Sequence, residues 1–369
     1  SILSKVKIVL IFIIFLVSSS TAMIFSKLCL DMLPAPATVL VVHMIPTSLT
    51  AFLAHSNSLL DSQPITMQGV RESIPFVVVH AGMALMVLTA LVHMRVETVM
   101  GVTTAAAPVL TFLVTSTLQS PTAALQSLPT PQMVCVGVGF VAAVMCTAAE
   151  GPNTISAALW LLPWFALLIV EKACEAVQST PEGEEVPPLP AEGAEDPPSL
   201  RVKAYHMIRK VLDSASGPPP SENSLTSTPT SSSSSPAPIP ALNKMIYCNA
   251  LPILPIAILA AIRQEGSVFT EMELHVHSIV LMGYSCIAGV GASLSSLLLV
   301  PVLSPKHLLY TTLTTQILTL LECIRGRDDA LNLEGWVASV ICVLAGAAFK
   351  LYPLVTPPSS SPPPAVPAA

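Results

Sequence analysis

The sequence predicts an all-α membrane protein with about ten transmembrane helices arranged as a five-plus-five inverted repeat. Composition is the first reason: 52% of the residues are hydrophobic, 10% are charged, and the mean hydropathy is +0.72. Soluble domains carry roughly 25% charged residues. The second reason is that apolar runs of about 17–25 residues recur along the chain, the length a helix needs to cross the hydrocarbon core. The third is that most connections are short, so runs one to five and six to ten form the natural halves of a repeat.

The runs lie near residues 6–26, 36–55, 74–93, 98–118, 131–149, 155–173, 245–262, 276–300, 304–324 and 333–352. Run one follows Lys5 and Lys7, and its zones Ile8–Val17 and Ser18–Ala22 imitate a signal peptide. It stays apolar from Phe25 to Leu30, which helix one of a transporter explains as well. Run six is split by Pro163 and is the weakest, so nine is the alternative count. The numbering opens on Ser1, and the true start is expected upstream.

The domain organisation follows from these runs. Residues 1–177 hold helices one to six and residues 244–353 hold helices seven to ten. Between them, 178–243 is a Pro/Ser/Glu-rich linker that includes Pro218–Pro220 and Ser231–Ser235, and 354–369 is a Pro/Ser-rich tail. Both have too little apolar surface to offset chain entropy and are expected to be disordered. Tyr205–Val211, among Arg201, Lys203, Arg209 and Lys210, reads as a short basic helix or as a solvated charge run.

With a cytosolic N-terminus, eleven of the sixteen Lys and Arg residues, the linker and both termini fall on the cytosolic side. Leaving out the four basic residues deep in the linker, seven face five, so the positive-inside rule favours this orientation weakly. The acidic residues Glu265, Glu271, Glu273, Asp328, Asp329 and Glu334 fall on the opposite side.

Several function classes find no support. No basic stripe points to nucleic acid. The eight cysteines form no C-x-x-C pair and read as small packing residues. There is no H-E-x-x-H or other metal spacing, no Ser-His-Asp arrangement, no phosphate-cradling glycine loop and no paired carboxylates. No catalytic residue, metal or cofactor is therefore expected. The expected partners are a small-molecule substrate and the lipid bilayer, with a homodimer left open.

Polar side chains inside a span are costly unless they face protein or a water-filled cavity. Helix four carries Thr98, Thr103, Thr104 and Pro108; helix nine carries Tyr310, Thr311, Thr312, Thr314, Thr315 and Gln316. These helices are equivalent in a five-plus-five repeat, so paired hydroxyl patches suit a midplane site for a polar solute. The competing explanation is that threonines bond their own backbone or hold helices together. Tyr247 and Asn249 at the start of helix seven join the candidates. Lys27, at the far end of helix one, either snorkels into water or meets an anionic solute. Glu97, Glu171 and Glu322 sit at helix ends, where solvation explains them, although Glu322 could carry protons. Gly283, Gly289, Gly291 and the serines after them mark helix eight for close packing.

The same places carry a family pattern. Phe25-Ser26-Lys27, Leu33-Pro34-Ala35-Pro36 and His43-Met44 resemble the opening of the nucleotide-sugar/triose-phosphate translocator branch of the drug/metabolite transporter superfamily. Val96-Glu97-Thr98 with Ala107-Pro108-Val109 resembles its fourth-helix segment. Ile246-Tyr247-Cys248-Asn249 is similar to the Phe-Tyr-x-Asn motif of GDP-mannose transporters, and Ser304 to Gln316 falls on the family's ninth-helix stretch. The resemblance covers almost all ten helices and omits the linker. It implies alternating-access exchange of a nucleotide sugar or sugar phosphate, in the Golgi membrane first, with plastid envelope or endoplasmic reticulum behind it. The cavity would be lined by Thr103, Thr104, Tyr247, Asn249, Tyr310, Thr312, Thr315 and Gln316, with Lys27 at the lumenal mouth. Ser26, Cys248 and Thr315-Gln316 stand where the family has Asn, Asn and Asn-Lys, so Lys27 is the remaining cationic match. Loss of site cations favours the alternative of an uncharged metabolite; a second alternative is a non-transporting scaffold of the same fold.

Overall fold

The computed structural model describes residues 2–58, 60, 62–119, 130–151, 159–178, 207, 210, 240–271, 276–326 and 332–355. Nearly all of the linker and the tail lies outside them, as do His275, Glu273, Asp328 and Asp329. The described residues contain helices and no strand. In order these are α1 (Ile2–Met32), α2 (Pro36–Ser56), α3 (Met67–His93), α4 (Val96–Gln119), α5 (Thr130–Ala149) and α6 (Leu161–Gln178). After the linker come α7 (Ala241–Ala250), α8 (Ile253–Ile262), α9 (Glu265–Glu271), α10 (Val276–Leu299), α11 (Pro305–Gly326) and α12 (Leu333–Val355).

Where the apolar runs are described they are largely helical, because a chain in lipid must satisfy its backbone N–H and C=O groups within the segment. Runs one to six correspond to α1–α6, run seven to α7 with α8, and runs eight to ten to α10, α11 and α12. Prolines act by position. Pro163 is the third residue of α6, where its missing N–H costs no helical bond, and run six is interrupted just ahead of it, at the turn of Trp160 that follows the helical Leu159. Pro252 does interrupt run seven, between α7 and α8. Pro108 lies inside an unbroken α4.

Among the described residues, seven stretches are long and apolar enough to cross a membrane: those of α1, α2, α3, α5, α7 with α8, α10 and α12. α4 is apolar over Val96–Leu110 as well, and it packs against α12, α5, α6 and α11.

The most extensive packing is α1 on α10, α5 on α12 and α4 on α12. Also in contact are α3 with α6, α4 with α5 and α6, α11 with α12 and α1, and α2 with α7, α8 and α10, while α3 touches α7. Lipid tails are as apolar as leucine, so close approach of small residues drives such contacts more than water exclusion does. A Cβ on Gly101 of α4 would lie 3.4 Å from Ser339 Cα, and one on Gly139 of α5 would lie 3.5 Å from Ala345 Cβ. At Gly346 of α12 a Cβ would be 2.8 Å from the Thr104 carbonyl oxygen, closer than side chains tolerate. Glycine is therefore required at 346.

The main apolar core joins the end of α1 (Leu30), the start of α2 (Val39, Leu40), the end of α3 (Leu88, Leu91) and the start of α4 (Val96, Val99). These ends meet at one end of the bundle. A smaller cluster at the other end joins Ala51 and Ala54 of α2, Val77 of α3 and Leu242 to Cys248 of α7. Two polar ties flank run seven, one from Asn243 ahead of it to the α2–α3 loop and one from Glu265 beyond it to the start of α2. Asn243 of α7 exchanges a pair of hydrogen bonds with the backbone of Gln63, at 2.8 and 3.0 Å. Glu265, 5% exposed, accepts from Ala37 N (3.3 Å), Thr38 N (2.8 Å) and Thr38 Oγ1 (3.0 Å). The first amides of α2 have no partner in their own helix, and a carboxylate suits that positive end.

Candidate functional site

The hydroxyl-rich helices four and nine, α4 and α11, do meet. Gln316 Nε2 on α11 donates to Thr104 Oγ1 on α4 at 3.0 Å. Thr104 is distinctive on its backbone as well. Pro108, four residues on, has no N–H to give the Thr104 carbonyl, and Gly346 of α12 packs against that carbonyl. Helices four, nine and ten thus converge on one residue.

The other α11 hydroxyls divide by face. Thr311, Thr315 and Thr319 recur at intervals of four and are buried. Thr319 Oγ1 is shared between Thr315 O at 2.9 Å and Ser20 O of α1 at 3.1 Å. Thr315 Oγ1 donates to Thr312 O at 2.7 Å. On the opposite face Tyr310, Thr312 and Thr314 are exposed, with the threonine hydroxyls returned to Leu308 O (3.0 Å) and Tyr310 O (2.8 Å). Thr103 Oγ1 likewise returns to Val99 O at 2.7 Å. A threonine in a helix satisfies itself this way when no other partner is offered.

The run-seven candidates lie elsewhere. Tyr247 is buried in the cluster of α2, α3 and α7, with its hydroxyl beside Gly69. Asn249 Nδ2 donates to Met245 O of its own helix at 2.8 Å.

Lys27 is 7% exposed and does not snorkel. Its Nζ is 2.7 Å from Asp31 Oδ1, one turn on, and donates to Leu91 O of α3, also at 2.7 Å. Its charge is matched inside the protein, which ties α1 to α3.

Two polar groupings carry no sequence signature. Ser26 of α1, His43 of α2 and Ser285 of α10 are linked by hydrogen bonds across three helices. Ser26 and His43 were visible in the opening motif, but nothing local joins them to a residue some 240 positions later. Near the start of α4, Cys146 Sγ lies 2.9 Å from Ser339 Oγ, and the fully buried Thr98 Oγ1 has no hydrogen-bond partner. Among the described residues no group of His, Cys, Asp and Glu could hold a metal ion.

Neither protein-family models nor curated proteins give a match to this sequence.

Proposed function

We propose that the protein is a secondary transporter of a polar organic solute, working by alternating access between two inverted halves of five helices. The observation that supports this reading is the pattern of helix contacts. Shifting run numbers by five exchanges one–eight with three–six, four–five with nine–ten, four–six with nine–one, and two–eight with seven–three, and both members of each of these couples are in contact, whereas four–ten, two–three and one–three have no comparable counterpart among the described residues. The contacts of two with seven, five with ten and four with nine map onto themselves. An odd number of spans in each half inverts the second half relative to the first, the arrangement that lets two halves rock about a site between them. Gln316 and Thr104 bond across the four–nine contact.

By the resemblance, the solute is a nucleotide sugar or sugar phosphate exchanged at the Golgi membrane. A second reading, an uncharged polar metabolite, is favoured by Lys27, whose ammonium is already paired with Asp31; phosphate recognition relies on charge-assisted bonds.

The test is counter-flow in proteoliposomes loaded with nucleoside monophosphate or inorganic phosphate, with labelled GDP-mannose, UDP-galactose, triose phosphate or a neutral sugar outside. Exchange of a nucleotide sugar or triose phosphate supports the first reading. Uptake of the neutral sugar alone supports the second. Folded protein that moves none of them points to the scaffold.

A further inference from the structure

One stripe of α3 is covered at both ends and open at its centre. Gly69, Ser73, Phe76, His80, Ala84 and Leu91 follow one another at helical intervals and share a face. At one end α7 covers that face: Gly69 lies against the Tyr247 hydroxyl, and Ser73 is buried. At the other end α1 covers it, where Leu91 is buried and its carbonyl accepts from Lys27 Nζ at 2.7 Å. Midway, at the central residue of α3, His80 is exposed, and from 79 to 92 it is the only exposed residue of the helix.

That exposure is not on the outward side. Ile74 and Val78 are the exposed apolar residues of this part of α3. At 3.6 residues per turn, Val78 lies about 160° round the helix from His80. His80 therefore looks into an opening inside the bundle, between α7 and α1.

α7 meets the same opening from its own side. Residues 242 to 248 circle that helix almost twice, and all are buried except Lys244. The Lys244 ammonium stands 3.6 Å over the Phe76 ring. Phe76 in turn stacks on His80, with centroids 5.9 Å apart and planes inclined by 15°. A ring face attracts an ammonium without cancelling its charge, and the N–H groups turned away from the ring can still donate. Packed on α3, α6 adds Glu171 and Lys172, one charge of each sign, and the start of α3 adds Arg71 and Glu72. Lys244 is the charge that leaves this region positive.

We propose that Lys244 and His80 form a binding site for an anionic solute. Lys244 holds the charged group at the α7 end, and His80, about one turn deeper than Phe76, holds a hydrogen-bonding group of the same solute at the centre of the span. A neutral imidazole has one donor and one acceptor, so it can take a hydroxyl or an amide. Lys27 is committed to Asp31, and Lys244 supplies a cation in its place. Mid-membrane is also where transporters hold their cargo. That the ligand is the transported solute rests on the transporter reading; that the opening binds an anion does not.

The test uses the full chain in lipid nanodiscs. A charged thiosulfonate reagent is offered to His80→Cys, Val78→Cys and Val79→Cys, and modification at that position is read by peptide mass spectrometry. We expect His80→Cys to react and the lipid-facing and buried variants to stay unmodified. Reaction of Val78→Cys alone, or of none of the three, overturns the opening. In the unaltered chain, carbethoxylation of His80 is then followed with a nucleoside monophosphate or a neutral sugar present. Slowing by the nucleoside monophosphate alone, lost in Lys244→Met, supports the anion site. Equal slowing by the neutral sugar, or slowing by neither probe, overturns it. In counter-flow of an anionic solute, Lys244→Met and His80→Ala should each raise KM about tenfold, the loss of one bond to a charged group, with His80→Gln in between. Counter-flow with KM unchanged in both variants removes the site from transport and leaves the transporter reading. Protection of His80 without any counter-flow leaves the anion site and removes the transporter reading.

Discussion

Two polar regions of the bundle differ in where their hydroxyls go. On α11, Thr312 and Thr314 send theirs back to their own helix, although this is the densest polar stretch in any span. At the junction of α1, α2 and α10 the hydroxyls are fewer, yet Ser26, His43 and Ser285 bond across helices, with Ser26 also returning to Ala22 O of its own. Abundance of hydroxyls therefore does not mark a site. A self-satisfied threonine costs the bilayer little and commits nothing to a neighbour. A side chain bonded across helices fixes two elements relative to each other and exposes whatever donor or acceptor is left over. Gln316 on α11 is the residue that makes this second kind of bond to α4.

This contrast can be broken by substitution. The largest effect is expected from replacing Thr315 and Gln316 with Val and Leu, which removes the α4–α11 bond and should abolish counter-flow while the protein still elutes as a folded species. Unchanged uptake would remove the helix-nine site. Next in size is Glu265→Ala, which strips three hydrogen bonds from the start of α2. A buried bond to a charged group contributes about 1.5–3 kcal/mol, so a loss of about that size is expected in denaturant unfolding in detergent, with Glu265→Gln retaining part of it. The smallest belongs to Thr312→Val, whose hydroxyl is self-bonded and exposed: a change within about 0.5 kcal/mol and counter-flow at the unaltered level. A large loss from that variant would show that the exposed face of α11 does more than satisfy itself.

The fold was legible wherever one local rule sufficed. The ten apolar runs fall on helices in the described residues, although α1 runs on to Met32 past 26 and α3 begins at Met67 ahead of 74, and the break at Pro252 follows from the missing amide of proline. Thr104 and Gln316 were also legible as polar residues inside spans, and their helices meet. Tyr247 and Asn249 resembled a motif, but they stand in a different cluster from Thr104. Lys27 looked like a free cation from its place at a helix end; one turn on, Asp31 changes its meaning, and Leu91 of α3 completes its coordination.

By itself the sequence determined that the chain is helical and apolar, and where along it the long helices lie. Those properties come from backbone hydrogen bonding and from side-chain transfer between water and lipid, which act over a few residues at a time. Only the tertiary structure decided which polar side chains meet. Ser26, His43 and Ser285, or Glu265 and the start of α2, are distant in sequence and become partners when small residues let particular helices approach.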